Sequence, residues 1–374
     1  MRLELKKLGL LLLLMGLVFS LVGCKDLRSN DKEENTKESM ETEKIKEEEE
    51  KILSPLSGLE VSEDSLNKRP FAVMLDNHFD AIPQSALNMA DLIYEFKAEG
   101  EFTRYMAIFQ SNSPEVIGPV RSARPYFVDT AKEYNAIYAH WGGSELGYAE
   151  IPKIGVNDLD GIALEGITYY RNKEVGKKRP HDGYTSSKLL REQAEKYKYD
   201  LTDDVKPLKF DTTKDLENIK EQMAEKICTS LTLNFFKSYK EVYEYDESLN
   251  KYRVIRNNET VIDEHDKKDV TPSNIIIEFA ASKVTGPLGT LTIDIVGSGN
   301  GLLLSNGKLI EINWQKNSFD EKTIFTRQDG EEIYLTPGQT WISVADPTDA
   351  YEILPAEENV ENSAAAENSA NADK

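Results

Sequence analysis

The sequence predicts an α+β protein, with a mixed α/β N-terminal domain followed by a small antiparallel β barrel or sandwich. Three observations lead there. Phe71-Ala72-Val73-Met74-Leu75 is a continuous apolar run of strand length, closed by the turn signal Asp76-Asn77. Strand-like runs then alternate with helix-like segments as far as about residue 200, which favours a mixed layer. From Leu231 onward the pattern changes to short strands, with Asn306-Gly307 and Asp329-Gly330 as strong hairpin turns.

Taken in order, a helical segment is expected around Ser85 to Met89. Leu92 to Phe96 and Phe102 to Phe109 read as a hairpin across Ala98-Glu99-Gly100. Arg124-Pro125 starts a helix, because proline suits the first helical position. Ala136 to Trp141 is a strand ending in Gly142-Gly143-Ser144, and a further helix runs from Ser186 or Ser187 to Tyr197. The polar stretch from Asp203 to Glu221 connects the two parts. The expected division is therefore 53–210 for the N-terminal domain and 211–355 for the C-terminal one.

The ends are of another kind. Residues 1–23 carry Arg2, Lys6 and Lys7 before an apolar run from Leu8 to Val22, the make-up of a signal peptide. The run is shorter than the roughly 20 apolar residues of a membrane span. Its end, Leu21-Val22-Gly23-Cys24, resembles the bacterial lipoprotein cleavage box, which implies a lipid on Cys24. Residues 24–52 form a charged tether, and residues 356–374 an acidic tail of Ala, Asn, Ser and Glu. Neither can bury enough apolar area to offset its ordering entropy.

The net charge is −21. The leader carries +2 and the tether and tail −4 each, which leaves −15 on residues 52–355. Nucleic-acid binding depends on Lys and Arg displacing counterions, so an acidic body argues against it. Beyond Cys24 the only cysteine is Cys228, expected to be a buried and inert thiol.

RPFAVMLDN, PQSALNMADLIYE, EGEFTRYMAIF and IGPVRSAR resemble the signature blocks of the YerB-like lipoproteins of Gram-positive bacteria. The late NGKLIEINW and LTPGQTWISV are similar to the same family's C-terminal part. The likeness runs from about Lys68 to about Val344. It implies a protein held at the outer face of the cytoplasmic membrane by its lipid. It brings no catalytic residue with it, because the family has no assigned reaction.

The candidate site is the charge-rich stretch from Leu92 to Arg124. Arg121 and Arg124 flank a turn into a helix, where free N–H groups and bidentate guanidinium donors favour anions. The competing reading pairs them internally with Glu95, Glu99 or Glu101. Arg104 lies in the same stretch, and Asp76 and Asn77 close a strand nearby. His140 and Ser144 bracket a Gly-Gly turn that a ligand could approach. Arg179-Pro180-His181-Asp182 is a turn that could border the same cleft. Gly297-Ser298-Gly299-Asn300-Gly301 reads as a hairpin or bulge, since no helix follows it to cradle a phosphate. His78, His140, His181 and His265 form no HExxH motif or close pair, so neither metal nor cofactor is expected. The expected activity is binding, of a polar polymer such as peptidoglycan or of another envelope protein. A cell-wall hydrolase using paired carboxylates, Glu99 and Glu101 with Asp76 nearby, is the alternative.

Overall fold

The computed structural model of the protein describes residues 51–223, 226–286 and 289–354. The leader, Cys24, most of the tether and the acidic tail lie outside the described residues. The N-terminal strands are β1 (Phe71–Asp76), β2 (Leu92–Lys97), β3 (Thr103–Phe109), β4 (Ile137–His140), β5 (Asp158–Asp160), β6 (Tyr170–Arg171) and β7 (Gly183–Tyr184). A first C-terminal group comprises β8 (Ser230–Phe236), β9 (Tyr239–Asp246), β10 (Lys251–Arg256), β11 (Glu259–Thr260), β12 (Asn274–Phe279), β13 (Ser282–Val284) and β14 (Leu291–Ile293). The last are β15 (Gly297–Ser305), β16 (Lys308–Lys316), β17 (Ile324–Arg327), β18 (Thr340–Ala345) and β19 (Tyr351–Leu354). Helices are α1 (Glu63–Leu66), α2 (Pro125–Glu133), α3 (Glu145–Ile154), α4 (Gly161–Leu164), α5 (Ser187–Lys196) and α6 (Glu217–Gln222).

Ten strands form one mixed sheet in the order β17-β16-β15-β12-β18-β2-β3-β1-β4-β5. A separate antiparallel sheet has the order β11-β10-β9-β8-β19, and β13-β14 and β6-β7 are two-stranded. The strands after Leu231 close no barrel among the described residues. They divide: β8 to β11 and β19 make the small sheet, whereas β12 and β15 to β18 extend the large one. Strand β18 runs parallel to both β12 and β2 and so joins the two halves of the chain in one sheet.

Residue pattern explains the division. All six residues of β1 and all six of β18 are buried, as in strands covered on both faces. Strands β8 and β10 alternate between buried and half-buried, as expected when one face is covered. Phe71, Val73, Leu75, Ile93 and Tyr105 face one core, which also contains Leu233, Tyr243 and Val254 of the small sheet. Ala72, Met74, Leu92, Tyr94 and Met106 face the other, built with Tyr126, Phe127 and Ala131 of α2. The large sheet is thus the middle of three layers.

Local chemistry sets the smaller features. Pro125 occupies the first turn of α2. Strands β15 and β16 pair through a turn at Asn306 (φ 50°) and Gly307 (φ 69°), as their sequence requires. The segment expected to be helical from Ser85 is only a 3-10 turn, Leu87–Met89. Cys228 is fully buried, and burial pushes its thiol up to about 11.

Candidate functional site

Strands β1, β4 and β5 run parallel and end at Asp76, His140 and Asp160. The carboxyl ends of parallel strands are where open α/β sheets place their crevices. Asp76, almost fully buried, organises this one. Its Oδ2 accepts the Nδ1–H of His181 at 2.7 Å, and its Oδ1 accepts the backbone N–H of His78 at 3.1 Å. Arg121 Nε lies 3.3 Å from the same Oδ2, yet it is not aligned for a hydrogen bond. Among the described residues the Arg121 side chain has no hydrogen-bond acceptor.

His78 and His181 stack, with ring centroids 4.7 Å apart and planes 14° from parallel. Burial, then the neighbouring His181, lowers the pKa of His78. Phe102 packs against His78 at 4.7 Å, and Phe79, also against His78 at 3.9 Å, is exposed. A cavity of about 740 Å³ opens beside these rings, lined by Asp80, Lys177, Lys178, Arg179, His181 and Glu264. Lys177 is held there by Glu264 at 2.6 Å and the Tyr184 hydroxyl at 2.9 Å.

The loop carrying His181 is locked by its own sequence. Arg171 donates to Asp182 at 2.8 Å and lies 4.0 Å over the Trp141 ring. Gly183 packs so closely on that ring that a Cβ would come within 2.6 Å of it. Any larger residue at 183 would clash with the Trp141 ring.

The remaining candidates fall into three other settings. His140 is fully buried, with Nδ1 2.8 Å from the Gly142 carbonyl and Nε2 3.1 Å from Asp158. Ser144 caps α3 by accepting the Gly147 N–H at 3.0 Å. Arg124 and Glu99 form a two-pronged pair, at 2.7 and 2.8 Å. Burial raises the pKa of Glu99, but the Arg124 bonds and charge outweigh it and the net shift is downward. Arg104, 3.6 Å from Glu99, is lowered to about 10 by burial and by the charge of Arg124. Glu101 instead accepts a bond from Ser238 at 2.6 Å. Glu99 and Glu101 therefore have separate protein partners, which gives no support to their acting as a hydrolytic pair.

Glu95 and Asn77 belong to a sealed network between the two sheets. Glu95 accepts from Thr103 at 2.7 Å, Tyr239 at 3.1 Å and Trp341 at 3.2 Å. Burial pushes its pKa up to about 7. Glu241 accepts from Tyr105 at 3.1 Å, and burial together with the Glu95 charge drives its pKa well up. Arg256 supplies the opposing positive charge and donates to Asn77. Asn77 also donates to Thr103 at 2.7 Å.

The internal pairing expected of the two arginines holds for Arg124, with Glu99, but not for Arg121, whose carboxylate neighbour is Asp76 rather than Glu95, Glu99 or Glu101. The structure instead adds His78, Asp80 and Lys177 to the crevice. His181 was visible beforehand only as part of a turn, and a His two residues past the end of β1 was the other available signal. The glycines of 297–301 lie within β15. They border a second cavity of about 780 Å³, and a Cβ on Gly299 would come within 2.6 Å of Trp314 Nε1. Gly299 and Gly301 reflect close packing, against Trp314 and the Ile277 carbonyl. Few charged groups reach that cavity, so the Asp76 crevice is the better candidate despite its similar size.

Comparison with known proteins agrees with this fold. Residues 56–200 match the N-terminal domain, and residues 231–342 the C-terminal domain, of the family described as "Protein of unknown function (DUF3048)". The chain is 32% identical over 312 residues to the Bacillus subtilis protein named "Putative lipoprotein YerB", covering 82% of this chain and 90% of that one. It also matches the crystal structure of YerB protein from Bacillus subtilis, with a TM-score of 0.72 and 30% identity over 81% of this chain and all of that one. From the two domain matches and the relative spanning most of its length, the chain belongs to the YerB-like DUF3048 family of lipoproteins of unknown function.

Proposed function

We propose that the protein is a lipid-anchored binding protein of the cell envelope, and that its crevice at Asp76 holds a carboxylate-bearing polymer such as peptidoglycan. One observation carries this reading: among the described residues Arg121 reaches the crevice with no hydrogen-bond acceptor of its own. A guanidinium in that state suits a carboxylate approaching from outside. Lys178 and Lys267 line the adjoining cavity in a chain of net charge −21, where Lys177 is paired with Glu264 and Arg179 with Glu165. The ordered loop around His181 provides a preformed wall, which limits the entropy lost on binding.

The test is co-sedimentation of the full chain with insoluble peptidoglycan. Wild type is expected to sediment, and Arg121→Ala to lose at least about tenfold in affinity, as for a lost charge-assisted bond. Equal sedimentation of the two proteins, or none with wild type, refutes the reading. The anchor is proposed at Cys24, with the body on the outer face of the cytoplasmic membrane. Cys24→Ala should then abolish fatty-acid labelling and release the protein from the membrane fraction; label retained by the variant argues for another anchor.

A further inference from the structure

His78, Asp80 and His181 come from two separate segments and meet at one edge of the crevice. Each offers one ligating atom, and these atoms all lie within 4.8 Å of one another. Donors on one tetrahedral ion at about 2.0–2.1 Å are roughly 3.3 Å apart. Closing the difference needs two side chains to turn: the His78 ring, stacked 14° from parallel on His181, so that both lone pairs converge on one ion, and Asp80. Asp80 is free to do so, with its side chain 59% exposed. Its backbone N–H donates to His78 Nδ1 at 3.2 Å, which leaves Nε2 as the ligating nitrogen of that ring.

From this geometry we infer a binding site for a divalent transition-metal ion, of the zinc type, with His78, Asp80 and His181 as its protein ligands. Two imidazoles and one carboxylate select such ions over calcium or magnesium, which prefer oxygen donors throughout. Three protein ligands also leave a coordination position open, as in sites that bind an exogenous group.

The surroundings fit the assignment. His181 donates its Nδ1–H to Asp76 at 2.7 Å, which fixes the tautomer and leaves the Nε2 lone pair for the metal. A carboxylate behind a ligating histidine is the usual supporting arrangement in metal sites. Asp76 is buried and also receives the His78 backbone N–H, so it holds both histidine-bearing segments. Asp76 and Asp80 bring two negative charges beside the positive charge of Arg121; Lys177 is paired with Glu264 and Arg179 with Glu165, and Lys178 and Lys267 line the adjoining cavity. His140 also has a carboxylate partner, Asp158, but its other nitrogen faces the Gly142 carbonyl. Neither of its nitrogens points to an open position, and that histidine is no ligand.

The inference does not depend on polymer binding, and the two can fail separately. The full chain, purified in detergent without a histidine tag and stripped with chelator, is titrated with Zn²⁺ against a chromophoric competitor. Wild type is expected to take up about one ion per chain and to melt at a higher temperature with Zn²⁺ than without. His78→Ala and His181→Ala should each lose the melting shift and weaken uptake by at least about tenfold, and Asp76→Asn by about tenfold to a hundredfold. Metal-free melts of the variants close to that of wild type show that they fold. Should a variant fail that control, Asp80→Asn, altered at an exposed side chain, is read instead. Arg121→Ala should keep the Zn²⁺ response while losing peptidoglycan, which separates this site from the polymer reading. Absence of a Zn²⁺-induced shift in wild type, or the same uptake by a His78→Ala/His181→Ala double variant, overturns the assignment.

Discussion

Asp76 and Asn77 are neighbours in the chain, and they serve two unlike polar clusters. Alternation along the strand sends them to opposite sides of the large sheet. Asn77 enters the sealed network with Thr103, Tyr239 and Arg256, and Asp76 enters the crevice with His181 and Arg121. Both clusters combine carboxylates with arginines. In the sealed one Arg256 is bonded to Asn77 and faces Glu95 and Glu241. In the open one Arg121 has only a nearby charge. A buried charge must find its partners in the fold, because an unpaired one is strongly destabilising. A charge at a crevice can leave part of its bonding capacity for a ligand. Hydrogen-bond satisfaction alone does not separate the two, because Glu241 Oε2 in the sealed cluster is also without a partner among the described residues. Access does, with Glu241 fully buried and the Arg121 side chain a quarter exposed.

The strongest way to break this comparison is to unbalance the sealed side. Arg256→Ala, melted at about pH 8 where Glu95 is ionised, leaves that buried carboxylate without its counter-charge. The expected loss is about 3–5 kcal/mol, seen as a large fall in melting temperature. A variant that melts like wild type would show that the cluster is hydrated or already neutral.

A pH series sharpens it next. Glu95 has a folded-state pKa of about 7 against an ordinary 4.5, because burial opposes its charge. The folded state therefore binds the extra proton in that interval, and stability falls as pH rises. The stabilisation is full below 4.5 and is lost as pH passes through about 7. Asp129, raised to about 7, and Glu278, raised to about 8, both mainly by burial, add slope of the same sign. Glu95→Gln, which stays neutral, should flatten the decline in melting temperature between these limits without removing it. An unchanged slope in the variant would mean that Glu95 does not titrate there.

The smallest effects come from the two arginines that flank one short turn. Arg124→Lys keeps the charge and loses the fork on Glu99, for an expected cost of about 1.5–3 kcal/mol. Arg121→Ala removes a quarter-exposed side chain with a single 3.3 Å charge contact. Its melt should stay within about 1 kcal/mol of wild type, as for other partly exposed ion pairs. If Arg121→Ala proved the more damaging of the two, Arg121 would have a structural role and the crevice would lose its main candidate ligand contact.

The sequence by itself determined the local features. The first strand, the hairpin across Glu99, the helix starting at Pro125 and the turn at Asn306-Gly307 are all present. Each rests on hydrophobic periodicity or turn chemistry, which acts over a few residues. The family resemblance was also carried by contiguous blocks. Only the tertiary structure decided which strands became neighbours. A short, mostly apolar run identifies β18 as a strand, but its place between β12 and β2 depends on burying both faces against residues about 65 and 250 positions away in the chain. The same holds for the polar clusters. Sequence placed Glu95, Glu99, Arg121 and Arg124 in one stretch, whereas Glu95 took Tyr239 and Trp341 as partners and Asp76 took His181. A side chain's partner is set by which faces of the sheets meet, and that is information no local pattern contains.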